Sequence, residues 1–311
     1  MKINVLHGAA SLAAVIAVPA FAQDRPSNDR PAWQKVSLDA GSAISPSSAT
    51  ATVSASSVPQ AMERLGGDGT NVDLSLGTLY AAGKFGTNST TTIWSSALSA
   101  RVHVDNLTLS ASLPWMQIRS RSTVFTGIDA TPVLIAPNTS AAKRTVEGFG
   151  DLTLGAAYTI APAGSPVEVE LSGRAKINTA SASSGLSSGA NDYAVGADVS
   201  VPLGSVTPFA SFTYRFLGDT NAFALRDGPA ASTGASFSLG HEAFLVASYH
   251  YSSAATRQVS AAHELFAGAS QRIAGTQMRL TGFVTTGLSR GAAALSAGAA
   301  LSVGLGPRGG M

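Results

Sequence analysis

Residues 167–178 read Val-Glu-Val-Glu-Leu-Ser-Gly-Arg-Ala-Lys-Ile-Asn, and this strict two-residue period constrains the chain more than any other feature. One alternate set is Val167, Val169, Leu171, Gly173, Ala175 and Ile177; the other is Glu168, Glu170, Ser172, Arg174, Lys176 and Asn178. Successive side chains of a strand point to opposite faces, so a strand here has one apolar and one charged side. Wound as a helix, the same residues would scatter both sets around the axis.

The template recurs. Leu107, Leu109, Ala111, Leu113 and Trp115 alternate with Thr108, Ser110, Ser112 and Pro114; Leu152, Leu154, Ala156, Tyr158 and Ile160 alternate with Thr153, Gly155, Ala157 and Thr159. Tyr193 to Leu203 and Leu295 to Leu305 follow the same rule. The second set is dominated by small or polar groups, with Phe209 an exception. A soluble barrel or sandwich would place bulky apolar residues there to fill a core. A wall with lipid on one side and a water-filled or loosely plugged lumen on the other does not need them.

The period predicts strands near 72–84, 92–104, 107–118, 151–161, 167–178, 192–203, 206–216, 231–239, 243–252, 262–273, 277–286 and 292–305. Tight turns at 105–106, 162–166, 204–205, 240–242 and 274–275 alternate with longer connections at 85–91, 119–150, 179–191, 217–230 and 253–261, the last of them (287–291) being short. Short turns at one end, long loops at the other and an even strand count describe an all-β chain. The expected fold is a transmembrane antiparallel up-and-down barrel of about twelve strands with both termini at the periplasmic end. Trp94, Trp115, Tyr193, Tyr214, Phe216, Tyr249 and Tyr251 fall near strand ends, as interfacial girdles do, although aromatic residues favour strands in any case.

Composition agrees with such a wall. Charged residues are 12% of the chain, against about 25% in soluble domains, and 32 glycines accompany much Ser, Thr and Ala. Zero cysteines exclude disulfides and thiolate metal sites, and a net charge of +2 gives no reason to expect a nucleic-acid partner. Lys2, the apolar run Ala9 to Val18 and the small-x-small end Ala20-Phe21-Ala22 predict a cleavable signal peptide over 1–22, and hence export to a Gram-negative outer membrane. Residues 23–71 are rich in Ser, Ala and Pro and predict a flexible periplasmic arm. Within it, Val58, Ala61, Met62 and Leu65 fit one face of a short helix at 57–65, either a local ordered turn or a plug of the lumen.

Leu113-Pro114-Trp115 closes one strand, and Gly148-Phe149-Gly150-Asp151-Leu152-Thr153-Leu154-Gly155-Ala156-Ala157-Tyr158 opens the next. This pairing resembles the outer-membrane barrel family assigned to transport in the meta-cleavage pathway of phenol degradation. The resemblance covers residues 113–158 and implies passage of small, hydrophobic or aromatic solutes. Physically, Gly148 and Gly150 permit unusual backbone where a loop re-enters the sheet, and Asp151 can cap that turn by accepting nearby N–H groups. The motif is therefore expected to be structural. The chain closes on Gly306-Pro307-Arg308-Gly309-Gly310-Met311, not on the terminal aromatic residue that the assembly machinery reads in such barrels, so either that signal is degenerate here or a short tail over 306–311 follows the last strand at Leu305.

Ten charged residues fall on the expected lumen face: Arg101, Glu168, Glu170, Arg174, Lys176, Asp198, Arg215, Glu264, Arg272 and Arg279. They could tune solute entry, or pair across strands to hold the wall, with Asp198 reaching Arg174 or Lys176. Five Arg and one Lys against three Glu and one Asp favour no solute charge. Catalysis finds little support. His103 and the pair His250 and Ser252 point inward, yet no Asp or Asn is placed to orient an imidazole, and a lipase barrel carries its site on the outer wall. His241 and His263 complete the histidines of the mature chain, and no group has metal-ligand spacing. The expected activity is a non-enzymatic channel without cofactor or metal. Its expected partners are outer-membrane lipid, a small solute and, during biogenesis, the barrel-assembly machinery. A non-conducting adhesive or structural barrel is the alternative, and an outer-membrane phospholipase a third.

Overall fold

The computed structural model describes residues 71–305 except 88, 122, 129–131, 137–141, 181–184, 219–224, 241 and 258. The expected leader, the arm up to residue 70 with its short helix, the tail 306–311 and His241 lie outside them.

Twelve strands close one antiparallel barrel: β1 (Asn71–Gly83), β2 (Thr91–Val104), β3 (Leu107–Ser120), β7 (Leu152–Ile160), β8 (Glu168–Ile177), β9 (Asp192–Ser200), β10 (Val206–Phe216), β11 (Gly228–Ser238), β12 (Ala243–Ser252), β13 (Ala262–Arg272), β14 (Met278–Gly287) and β15 (Leu295–Leu305). Each pairs with its sequence neighbour in this series, and β1 closes on β15 from Val72↔Leu305 to Ala82↔Leu295. Closure removes the edges that would otherwise present unpaired N–H and C=O groups.

Every expected strand is present, most within two residues of its expected ends. β9 stops at Ser200, short of 203, because Pro202 has no N–H for the ladder; the Val201 N–H still donates to the Pro208 carbonyl (3.1 Å), and the isolated bridge Leu203↔Val206 follows. The stretch 119–150, expected to be one long loop, contains three short strands. β3 runs on to Ser120, β4 (Thr123–Thr126) and β5 (Pro132–Ala136) form a hairpin, and β6 (Arg144–Phe149) pairs with the upper part of β3. The tight turns use the expected chemistry: Asp105 takes φ 51°, and Gly204 and Gly275 take 68° and 74°.

The two faces separate cleanly. All twelve wall strands contribute to the exposed large apolar side chains, among them Leu76, Leu98, Leu109, Val195, Phe212 and Leu301. The opposite positions are buried: Asp73, Ser75, Ser95, Ser99, Thr108, Ser211, Ser232, Thr281 and Ser302. Hydroxyls on neighbouring strands bond across this inner face, as in Ser99–Ser112 (2.8 Å) and Ser211–Ser232 (2.6 Å). The inner face is not uniformly polar, however. Leu79, Phe209, Phe244, Val246, Phe266, Phe283 and Ala300 form one buried apolar cluster across β1, β10 and β12–β15. Glycines on the intervening strands make the room: Phe209 lies over Gly234, and Phe283 over Gly298.

Candidate functional site: the barrel interior and its long-loop mouth

The two halves of the motif at 113–115 and 148–151 meet in space. β3 pairs with β7 as far as Ser112↔Thr153 and with β6 from Trp115↔Phe149. Between those rungs Leu113 and Pro114 face Gly150, Asp151 and Leu152, so the second strand carries one extra residue and bulges. Proline cannot donate to a ladder, and a bulge is where a barrel strand tolerates it. The Pro114 carbonyl accepts the Gly150 N–H at 2.8 Å. Gly148 takes φ 147°, closed to most side chains, whereas Gly150 is required by proximity: a Cβ there would lie 3.1 Å from Pro114 Cγ and 3.4 Å from Met116 Sδ. Gly150→Val is expected to cost about 1–3 kcal/mol through overpacking. A lower urea midpoint, followed by the fluorescence of adjacent Trp115, would show it; an unchanged midpoint would remove the packing role.

Asp151 does not cap its own turn. Its Oδ1 accepts the N–H groups of Thr179 (3.1 Å) and Ala180 (3.0 Å), and its Oδ2 accepts the Ser187 hydroxyl (2.6 Å). All three belong to the β8–β9 connection. Lys176 Nζ then bridges Asp151 Oδ2 (3.0 Å) and Asp192 Oδ2 (3.1 Å), every member at about 1% side-chain exposure, and donates to Ser188 Oγ (3.3 Å). Asp192 Oδ1 accepts the Gly218 N–H. One ammonium thus holds the ends of β7, β8 and β9 together and fastens two loops across the long-loop mouth. Asp198 was expected to reach Arg174 or Lys176. The register sets Lys176 against Asp192 and Glu170 against Asp198, leaving Lys176 and Asp198 six residues, about 20 Å, apart along the strand.

The remaining charged positions distribute between the two ends. Arg101 lies opposite Asp73, which contacts His103 Nε2 at 3.2 Å, and is attracted by both Asp73 and Glu170. His103 Nδ1 also meets Thr108 Oγ1 at 3.1 Å. Arg174 is buried and Glu168 half-buried. Arg272 and Arg279 face each other across β13 and β14, a like-charge contact relieved on both sides. Arg272 Nε lies 3.6 Å from Glu242, while Arg279 donates to Ser270 and stands 4.8 Å over the Phe244 ring. At the long-loop end, Arg215 donates to the Ser253 carbonyl at 2.9 Å, and Glu264 accepts the Ala293 N–H.

His250 bonds through Nε2 to Ser248 (2.6 Å), not to Ser252, and its ring lies 5.4 Å from that of Phe266, which stacks on Phe283 at 5.9 Å. Glu264 is its cross-strand neighbour, but among the described residues no hydrogen bond reaches His250 Nδ1. A Ser–His contact without an oriented imidazole is a polar spot beside aromatic rings and lacks the arrangement of a nucleophilic triad. His263 points to the other face, where its Nδ1 meets the Tyr249 hydroxyl at 2.5 Å. Two apolar clusters pack at the mouth among the described residues. Phe85 and Leu186 pack with Ile93, Met116 and Ile118, while Ile128, between β4 and β5, packs against Ala194, Leu217 and Ala255; Leu186 and Ile128 are 0% exposed.

No protein-family model matches the chain, and no curated protein matches it. The likeness read from residues 113–158 therefore stands on those residues alone. Solved structures that resemble the chain include a CymD monoaromatic hydrocarbon channel, at 12% identity and TM-score 0.42 over 80% of this chain and 90% of that one. A KdgM porin in complex with disordered oligogalacturonate gives 8% and 0.43 over 75% and 98%. The translocator domain of the autotransporter NalP from Neisseria meningitidis gives 12% and 0.44 over 76% and 88%. At such identities, what this barrel does has to be sought in its own residues.

Sequence reasoning missed Asp73, Asp192, Ser248 and the rings of Phe244, Phe266 and Phe283. Their parity along the strand was available. Asp192 shares the face of Asp198, and Phe266 that of Glu264. What parity alone could not supply was the register that sets Phe209 over Gly234 and Phe283 over Gly298.

Proposed function

We propose that the chain is an outer-membrane channel that passes small apolar or aromatic solutes through the barrel interior. The apolar cluster of Phe209, Phe244, Phe266 and Phe283 with Leu79 and Val246 carries this reading. It gathers four aromatic rings on an inner face whose other wall positions are largely hydroxyl-bearing or charged, and such a station attracts apolar solute out of water at about 25 cal/mol per Å² of area covered. Membrane placement rests on the outer face. Soluble proteins rarely leave contiguous apolar patches beyond a few hundred Å² uncovered, and here all twelve wall strands expose large apolar side chains. The short-turn end, to which both ends of the wall return, is periplasmic, and the leader-like segment 1–22 agrees with export. The resemblance of residues 113–158 to the phenol-pathway barrels points to the same solute class.

A non-conducting barrel is the second reading, favoured by the burial of Ile128 and Leu186 across the mouth. Planar-bilayer recording separates the two. The wild-type barrel is expected to open rarely, and Ile128→Asp, which places a charge in that apolar contact, is expected to stay open longer. Phenol should interrupt the current, whereas glucose should not. Silence of Ile128→Asp at every voltage would establish the non-conducting reading.

A further inference from the structure

The long-loop end differs from the short-turn end in charge and in aromatic content. Lys84, Arg119, Arg121, Lys143 and Arg144 are all exposed around β1, β2, β3 and β6, and Arg226, Arg257 and Arg290 stand on the other long connections. Among the described residues of the short turns, the exposed charges are Asp105 and Glu242. Exposed outward aromatic residues are also more numerous at the end that carries the cations, where Tyr80, Trp94, Phe149, Tyr193 and Phe216 stand, against Tyr158 and Phe237 beside the short turns.

Both features converge on one sector. Tyr80 lies opposite Trp94, and Trp115 opposite Phe149, on the outward face of β1, β2, β3 and β6. Four residues above Trp115, about 13 Å along the strand, Arg119 points to the same face between Thr92 and Thr145. One step past the last rung, Ser120↔Arg144, Arg121 and Lys143 continue the two strands. The nearby carboxylate on that face, Glu147, is bonded by Gln117 Nε2 at 2.8 Å. Because β6 pairs with β3 alone among the described strands, these two extend the wall past the bulge at Gly150. They form a platform whose lower part is aromatic and whose upper part is basic.

We infer that this platform, carrying Arg119, Arg121 and Lys143 above Trp94, Trp115 and Phe149, binds the phosphate groups of an outer-leaflet glycolipid. The inference rests on the membrane placement proposed above. Aromatic side chains settle at the boundary between hydrocarbon and headgroups, and a phosphorylated headgroup then stands at the height of the three cations. Guanidinium groups make charge-assisted, bidentate contacts with phosphate oxygens, and two of the three cations are arginines. A steering role for a free anion would place the cations over the mouth; Arg119 stands instead on the outward face of the wall.

The full-length barrel, purified in neutral detergent, would be titrated with diphosphoryl lipid A or with phosphatidylcholine, and bound lipid counted by native mass spectrometry. Lipid A is expected to bind and phosphatidylcholine not to compete. The triple change Arg119→Gln, Arg121→Gln and Lys143→Gln should weaken lipid A binding on the order of tenfold to a hundredfold. Arg226→Gln with Arg257→Gln, on other connections, should leave it unchanged. Equal binding by wild type and the triple variant would overturn the inference, as would displacement of lipid A by millimolar inorganic phosphate, which would mark a site for free anions. Insertion into phosphatidylcholine liposomes tests the membrane placement separately. A barrel that fails to insert loses that placement, and one that inserts but does not prefer lipid A loses only this inference.

Discussion

Lys176→Met is expected to destabilise the barrel by about 3–5 kcal/mol and to loosen its long-loop mouth. Methionine keeps the length of the side chain and removes only the ammonium. Asp151 and Asp192 would then face each other, buried, with no cation between them. The hydrogen bonds that remain, from Thr179, Ala180 and Ser187 to Asp151 and from Gly218 to Asp192, soften the loss and place it towards the lower figure. The effect is local first, since those donors are loop groups held in place by the same carboxylates. A broad-specificity protease should therefore cut the β8–β9 connection of Lys176→Met before the barrel unfolds in urea. Adding Asp192→Asn to Lys176→Met should recover part of the loss, because one buried charge is then removed. Equal urea midpoints and equal protection from cleavage in Lys176→Met and wild type would show that the cluster does not fasten the mouth.

That cluster also marks where the sequence stops being legible. Strand positions are written in the two-residue period, and β3, β8 and β12 begin or end close to where alternation starts or fails. The period says which face a residue takes but not which residue lies opposite. Arg174 or Lys176 was thus the natural partner for Asp198 by proximity in sequence, and the register sets Lys176 against Asp192. The same limit applies to Asp151. A short polar side chain after glycine reads as the cap of its own turn. Its acceptors in fact serve N–H groups 28 and 29 residues further on, because the bulge at Pro114 aims it at the neighbouring loop. The 119–150 segment failed for another reason. Its strands are short, at four to six residues, and pair with each other or with one wall strand. None needs the long alternation that betrays a wall strand.

Phe283→Ala is expected to have the largest effect on passage. The ring is 2% exposed, stacks on Phe266, and lies over Gly298, where a Cβ would come within 2.4 Å of its Cζ. Glycine below means that nothing can move up to fill the space, so truncation leaves a hole in the inner apolar face. A Phe→Ala change in a closed core costs about 3–5 kcal/mol; inside a lumen, water can enter, and the lower end of that range is expected. Passage should respond with the opposite sign. With Ile128→Asp holding the mouth open, Phe283→Ala should raise single-channel conductance and weaken block by phenol, since the ring both narrows the path and offers the apolar contact. Gly298→Val acts in the other direction, because its side chain would press on Phe283 and lie 2.6 Å from the Thr78 carbonyl. It should lower conductance while also lowering stability. Stability falls in both variants and conductance moves in opposite directions, so a general loss of folding cannot imitate the result. If both variants conduct like Ile128→Asp alone, the aromatic cluster lies off the path and serves only to pack the wall.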